Sequence, residues 1–356
     1  MKKLLTLGLV LLMAVGLSAC GGGEQTQGED AASDETTNLN IMMWGDYISE
    51  ELVSNFETEN NVKINFTYMS DNADAVNKLT AGGGDEFDLI LTSDAYMKSL
   101  IEGDFLEKLD LSKLPNSSNL NTTYWHEGIK DYSIPYLMNY IYVVYDTEQV
   151  PFEITSYNDL LKPELKGKIA SVDSARNLFP IALIALGYDP NSTSEAEINE
   201  AYEWLVKYNE NVVSYGNTQE NIVSGVASTM LSFDGNAAWA MEEMEKNGNN
   251  TLTIAPFTED KVQLGIDLYV IPKGAKNQDM AYTFLNYILD ADVMAKNLDS
   301  YPYSCPNDAA IEKASDKYKN NPAFDFDYKE NIFFQEDVGE AIKIYDSNYQ
   351  KLKVEQ

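Results

Sequence analysis

The sequence predicts an α/β protein built of two lobes with a cleft between them. The chain has 356 residues, which is more than one ordinary hydrophobic core holds. Apolar residues make up 44% of the chain, enough for packed globular domains. Short apolar runs also alternate with amphipathic segments, a pattern typical of parallel sheets covered by helices.

The N-terminal segment is predicted to lie outside the folded part. Lys2 and Lys3 precede an apolar run over residues 4–16, which is shorter than the roughly 20 residues of a membrane-spanning helix. Small residues then lead into Cys20. These features predict a lipoprotein signal peptide over 1–19, with Cys20 lipidated and becoming the new N-terminus; an ordinary signal peptide, with Cys20 incidental, is the alternative. Residues 20–37 are small, polar or acidic and predict a flexible tether.

The first lobe begins with alternating strands and helices. Strands are predicted over residues 40–44, 62–69 and 87–91, and helices over 48–57, 72–80 and 95–101. The helical spacing rests on Ile48, Leu52, Val53 and Phe56, and the strand alternation on Ile64, Phe66 and Tyr68. Ligands of such sheets bind beyond the carboxyl ends of the strands. Two segments therefore form a candidate site: Trp44 to Tyr47, and Thr92 to Asp94.

The second lobe follows an apolar run over residues 134–145. A strand is predicted over 168–172, helices over 177–186 and 198–208, and an apolar segment over 222–233 that leads into a helix over 237–246. A strand over 264–271 marks the return to the first lobe. Helices over 280–289 and 341–352 close the fold.

The charge of the chain excludes one class of function. Asp and Glu number 57 against 25 Lys and Arg, for a formal charge of −32, and Arg176 is the only arginine. Nucleic-acid binding needs clustered basic residues, so it is not expected here. A strongly acidic protein instead attracts cations.

Catalytic motifs are missing from the sequence. It contains no nucleophile elbow, no paired-histidine zinc motif and no phosphate-binding glycine loop, and residues 82–84 are predicted to form a turn. Cys20 and Cys305 are the only cysteines and His126 is the only histidine, so no disulfide framework, metal site or cofactor is expected. Cys305 is either a nucleophile or, in the favoured interpretation, a buried structural thiol.

Aromatic residues are abundant, with 23 tyrosines, 13 phenylalanines and 4 tryptophans. Ring faces attract ammonium groups, and carboxylates pair with amines, so aromatic and acidic residues together suit an organic cation. Many tyrosines also serve ordinary core and surface roles, so the composition alone leaves both interpretations open.

Motifs along nearly the whole mature chain resemble one protein family. They are Met43–Tyr47, Phe87–Ile90 with Ser93, Asp131–Tyr136, Ser156–Lys168, Ala175–Arg176, Leu186–Tyr188, Ile271–Pro272 with Ala275–Asn277, Pro306–Asn307, Gln335–Gly339 and Tyr349–Lys353. The sequence resembles the spermidine/putrescine-binding proteins of bacterial ABC importers. The resemblance implies a periplasmic-binding-protein-like fold of type II. Lobe 1 would comprise residues 38–136 and 267–312, and lobe 2 residues 137–266 and 313–356.

The resemblance also implies a function. The protein would be an exported, lipid-anchored monomer, in the periplasm or on the outer face of the cytoplasmic membrane. It would capture a polyamine and deliver it to a permease, and it would not be an enzyme. Two alternatives remain. One is a protein of the same fold for another solute, such as a ferric ion or an anion, although the adjacent tyrosines of ferric-binding relatives are missing here. The other is a thiaminase-like enzyme that uses Cys305.

The family's binding pattern is only partly kept. The matching residues are Trp44, Asp46, Tyr47, Ser93, Asp267, Tyr303 and Gln335. The departures are Ala95 for a tyrosine, Ser174 and Asn177 for two acids, Phe233 followed by Asp234 for a tryptophan segment, and Gly265 for a second tryptophan. Asp173 is expected to compensate for the acid missing at Ser174.

Each of these residues also has an ordinary structural role to weigh. Trp44 and Tyr303 suit a core, and Asp46 suits the N-cap of the helix predicted from Ile48. Asp267 stands inside an apolar strand, where an unpaired carboxylate is costly. It is therefore the strongest candidate for anchoring an amine.

Overall fold

The computed structural model describes residues 37–69, 72–125, 127–326 and 331–354. The predicted signal peptide, Cys20, His126 and the tether as far as residue 36 lie outside the described residues. Thr37, predicted as the last residue of the tether, is instead the first residue of a strand, because its backbone pairs with Val62 on the neighbouring strand.

The first elements agree with the predicted alternation. They are β1 (Thr37–Met43), α1 (Glu50–Asn60), β2 (Val62–Tyr68), α2 (Asn72–Thr80), β3 (Leu89–Ser93) and α3 (Met97–Glu102). β1 pairs in parallel with both β2 and β3, as predicted. β3 runs two residues further than the predicted strand and ends at Ser93. Its carboxyl end therefore delivers Ser93 and Asp94 to the same edge as Trp44, which follows β1.

The middle of the chain contains β4 (Ile134–Asp146), β5 (Ile169–Ser171), α4 (Ala175–Ala185), α5 (Glu195–Asn209), β6 (Val212–Tyr215), α6 (Thr218–Val223), β7 (Thr229–Phe233), α7 (Asp234–Lys246), β8 (Leu252–Ile254) and β9 (Val262–Val270). Three short elements, β6, α6 and β8, were not predicted, because segments of three to six residues carry too little periodicity.

The last part of the chain is mostly helical. It contains α8 (Gln278–Ile288), α9 (Ala291–Ser300), α10 (Asp308–Lys313), α11 (Asp316–Lys319), β10 (Ile332–Phe333) and α12 (Ile342–Val354). α9 was not predicted, although Asp290 caps it by accepting hydrogen bonds from the backbone N–H groups of Asp292 and Val293. In the part of the chain that the structure describes, no helix is long and apolar enough to cross a membrane.

The strands form one mixed sheet in the order β2-β1-β3-β9-β4-β7-β5-β6. A parallel sheet was predicted from the first three strands, but β9 and β4 are antiparallel to their neighbours on this path. The 13-residue β4 pairs with β9 along its first part and with β7 along its last part. Leu137 pairs with Asp267. These are the positions at which the chain was predicted to pass from lobe 1 to lobe 2 and back, so the two predicted passages lie opposite each other in the sheet. The lobe boundaries themselves stay a prediction.

Candidate functional site

A buried carboxylate on β9 lies at the centre of the site. Asp267 is 4% exposed. Its Oδ2 accepts hydrogen bonds from the Tyr47 hydroxyl at 2.8 Å and from Asn139 Nδ2 at 3.1 Å, and the Trp44 side chain donates another. These donors come from the segment after β1 and from β4. Two segments that are distant from β9 in the chain therefore hold this carboxylate in place.

A second carboxylate, that of Asp94, adjoins Asp267. The sheet register places Ser93, at the end of β3, opposite Asp267 on β9. Asp94 Oδ1 accepts hydrogen bonds from Ser93 Oγ at 2.9 Å and from the backbone N–H of Ile266 at 3.4 Å. Asp94 was not among the binding residues implied by the family resemblance. The strand-end rule included it, because that rule selects positions by topology.

A third carboxylate belongs to Asp234, the first residue of α7, which is fully buried. Its Oδ1 accepts from the backbone N–H of Gly235 at 2.9 Å, and its Oδ2 from that of Ser304 at 3.1 Å. The neighbouring Tyr303 ring lies 4.8 Å from the Tyr47 ring. Phe233, beside Asp234, is half-buried and packs against the core.

The three carboxyl groups carry an electrostatic cost. Burial raises the pKa of Asp94 to about 6 and the pKa of both Asp234 and Asp267 to about 7; the charge of Asp94 adds to the shift of Asp267. None of the ion pairs among the described residues involves these three carboxylates. A cation bound among them would relieve this cost.

Aromatic residues surround the acidic groups. Trp44 and Tyr303 are half-buried and pack against the core, so they have both a structural role and a partly free surface. Asp46 is exposed, with a left-handed backbone at φ 54°. The alternative role of Asp46 as an N-cap does not apply, because α1 begins only at Glu50, after Ser49. Its charge is instead close enough to Tyr303 to raise the pKa of that phenol, after the larger effect of burial.

Other predicted residues form a separate amide cluster near the start of α4. Asn177 Oδ1 accepts from Gln263 Nε2 at 3.2 Å and from Gln335 Nε2 at 3.3 Å. Gln335 Nε2 also donates to the backbone carbonyl of Arg176. Ser174 is the N-cap of α4, but its side chain makes no capping hydrogen bond. None of the hydrogen bonds found among the described residues joins this cluster to Asp267.

Asp173 does not compensate for the missing acid at Ser174. Its Oδ1 accepts from Lys353 Nζ at 2.9 Å and from the Tyr349 hydroxyl, both on α12. That expectation is therefore wrong, because the charge is already paired with a lysine of this chain.

Close packing explains why position 265 is a glycine. A Cβ atom there would come within 2.7 Å of Asn139 Oδ1. Asn139 therefore occupies the space into which a larger residue at 265 would extend, and it also binds Asp267. No local sequence pattern identifies Asn139, because its role depends on pairing between β4 and β9.

Replacing Gly235 with alanine is expected to lower the free energy of unfolding by about 1–3 kcal/mol. The new Cβ would lie 2.5 Å from the Tyr303 ring, so the ring must move. Thermal unfolding measures the effect. Gly45→Ala is the matched control, because its nearest neighbour, Tyr68 Cδ1, would be 4.0 Å away. Equal stability of the two variants would contradict close packing of Tyr303 on Gly235.

Cys305 is unsuited to nucleophilic chemistry. Its side chain is 3% exposed, and burial raises the pKa of the thiol to about 12. The reactive thiolate is therefore scarce near neutral pH. The favoured prediction of a buried structural thiol is confirmed.

Comparisons with known proteins agree with this architecture. A family model described as bacterial extracellular solute-binding protein matches residues 51–325. The chain is 30% identical to the spermidine/putrescine-binding periplasmic protein 1 of Haemophilus influenzae, over 99% of both chains. It is 30% identical to the spermidine/putrescine-binding periplasmic protein of Escherichia coli, over 91% of this chain and 93% of that one.

Solved structures show the same fold. A putative spermidine/putrescine ABC transporter protein from Listeria monocytogenes superimposes with a TM-score of 0.82 at 28% identity, covering 90% of this chain and 100% of that one. The spermidine/putrescine ABC transporter substrate-binding protein of Streptococcus pneumoniae gives a TM-score of 0.74 at 26% identity, covering 90% and 99%. This likeness confirms the predicted two-lobed α/β fold class.

Proposed function

Because the chain belongs to the family of bacterial extracellular solute-binding proteins, we propose that it captures a polyamine and delivers it to the permease of an ABC importer. Members of this family act outside the cytoplasm and bind solutes rather than transform them. One observation carries the choice of ligand. Half-buried Asp94 and buried Asp234 and Asp267 form an acidic cluster without an ion-pair partner in the described part of the chain, beside Trp44, Tyr47 and Tyr303.

The geometry suggests how an amine would be held. Tyr47 and Asn139 orient Oδ2 of Asp267, which leaves acceptor capacity on the carboxylate for an ammonium group. Asp234 already accepts two backbone hydrogen bonds, so it contributes mainly charge. The ring faces of the three aromatic residues would each add about 0.5–2 kcal/mol where they are desolvated. Binding would favour a closed arrangement of the lobes that the permease recognises.

The binding residues proposed from the sequence stay a proposal, now with two additions. They are Trp44, Asp46, Tyr47, Ser93, Ser174, Asn177, Phe233, Asp234, Asp267, Tyr303 and Gln335, joined by Asp94 and Asn139. The division into lobe 1 (38–136 and 267–312) and lobe 2 (137–266 and 313–356) is proposed with them. We expect the protein to be a monomer. We also expect no catalytic activity, since the proposed role makes and breaks no bond.

Calorimetric titration with putrescine, spermidine and spermine tests the ligand assignment. The purified protein is first unfolded and refolded to remove any bound ligand. We expect one-to-one binding of at least one of the three, with an increase in unfolding temperature because the ligand binds only the folded state. Absence of both heat and thermal stabilisation with all three would overturn the polyamine assignment.

Lipid attachment at Cys20 is a separate part of the proposal. Replacing Cys20 with serine is expected to move the protein from the membrane fraction of the host to the soluble extracytoplasmic fraction, because the acyl chains provide the membrane affinity. Fractionation followed by immunoblotting measures the distribution. Cys305→Ser is the control that should stay with the membrane. Membrane retention of a Cys20→Ser protein that has lost residues 1–19 would contradict the anchor.

A further inference from the structure

The two ends of the candidate site differ in charge. We define the acidic end as Asp94, Asp234 and Asp267, and the amide end as Asn177, Gln263 and Gln335. We propose that the ligand is an N-acylated diamine, with its single ammonium in the acidic end and its neutral amide in the amide end. This inference rests on the proposed function and specifies which amine the same site takes.

β9 connects the two ends. Gln263, Gly265 and Asp267 alternate along this strand, so their side chains share one face of the sheet. Asp267 is four positions after Gln263, which is about 13 Å along a strand. The nitrogens of an extended four-carbon diamine are roughly 6 Å apart by standard bond lengths. With a hydrogen bond of about 3 Å at each end, such a molecule matches this span.

The amide end is poorly suited to a second ammonium. Ser174 and Asn177 are uncharged, and the first turn of α4 contains no acidic residue. The N-terminus of a helix carries partial positive charge. Arg176 lies in the same turn, and its Nη1 is buried without a hydrogen-bond partner. The carboxylates of Asp337 and Asp346 already act on the Arg176 guanidinium, so an ammonium placed here would add a second positive charge beside it.

A neutral amide suits the same environment. Gln263 is 4% exposed, and its Oε1 is buried without a hydrogen-bond partner, while its Nε2 donates to Asn177. The N–H of an acyl amide would satisfy that oxygen. The amide carbonyl would accept from donors near the α4 N-terminus, where the Ser174 hydroxyl makes no capping bond. The ligand would thus supply both a donor and an acceptor without a charge.

Competing ligands of equal length test the proposal. The purified, refolded protein is titrated calorimetrically with N-acetylputrescine, putrescine and 4-aminobutanoate. We expect N-acetylputrescine to bind at least tenfold more tightly than either of the others. Tighter binding of putrescine would overturn this inference and leave the proposed function standing. Tighter binding of 4-aminobutanoate would show that the amide end takes an anion and would also overturn it. Failure of all three, and of spermidine, would overturn both proposals.

A charge change at the amide end gives a second test. Asn177→Glu places a carboxylate beside Arg176 and Gln335, so we expect it to raise putrescine affinity relative to N-acetylputrescine by at least tenfold. The matched control is Asn320→Glu, the same change at an exposed position after α11. An unaltered affinity ratio in a folded Asn177→Glu protein would show that the ligand does not reach the amide end.

Discussion

Replacing Asp267 with asparagine is expected to weaken amine binding by about 100-fold or more, because truncating a buried charged partner costs 2–5 kcal/mol or more. The substitution keeps the size of the side chain and retains an oxygen that Tyr47 and Asn139 can reach. It removes the negative charge that would balance the ammonium of the ligand. Calorimetric titration with the tightest-binding amine measures the loss.

The variant also separates binding from folding. The buried Asp267 carboxylate is costly in the ligand-free protein, so we expect Asp267→Asn to unfold at an equal or higher temperature than the wild type. Asp316→Asn makes the same change on the exposed surface of α11 and should leave affinity unchanged. Wild-type affinity in the Asp267→Asn protein would remove this residue from the site.

Amine affinity is expected to rise steeply between pH 5.5 and pH 8. Burial raises the pKa of Asp94 to about 6 and that of Asp267 to about 7, so at low pH these groups are protonated and cannot pair with a cation. Each carboxyl that must lose its proton contributes up to about tenfold in affinity per pH unit. Titrations in two buffers of different ionisation enthalpy would also detect the released protons. An affinity independent of pH over this range would contradict binding at these carboxylates.

The ligand-free protein is expected to show the opposite trend in stability. A carboxyl whose pKa is raised by folding binds more protons in the folded than in the unfolded state. Its contribution to stability is therefore lost as the pH rises from about 4 to about 7. The unfolding temperature of the wild type should fall more over this pH interval than the unfolding temperature of Asp267→Asn. If the unfolding temperatures of the two proteins depend equally on pH, the pKa of Asp267 is not raised by folding.

Local patterns predicted much of the secondary structure. The predicted helix over residues 72–80 has the bounds of α2, and the other helices of ten or more residues, except the unpredicted α9, differ from prediction by a few residues at their ends. A periodic apolar face is a property of neighbouring residues, so it can be recognised without knowledge of the fold. The strand-end rule likewise placed Trp44 and Asp94 at one edge, because that rule depends only on the order of strands and helices.

Pairing between distant segments lay beyond these patterns. Asn139 became part of the site because β4 lies beside β9, and Asp173 was removed from it because α12 brings Lys353 within 2.9 Å. Asp46 was excluded as a cap because α1 begins three residues later than Asp46 would require. Each outcome depends on residues far apart in the chain or on the backbone path of a loop.

The sequence by itself determined the α/β class, the long helices and the presence of a buried acid at position 267, since these follow from residue type and local spacing. Only the tertiary structure decided that Asp94 and Asp234 share its surroundings, and that Asn177, Gln263 and Gln335 form an uncharged group near the start of α4. The reason is physical: burial, pKa and hydrogen bonding depend on which surfaces meet in three dimensions.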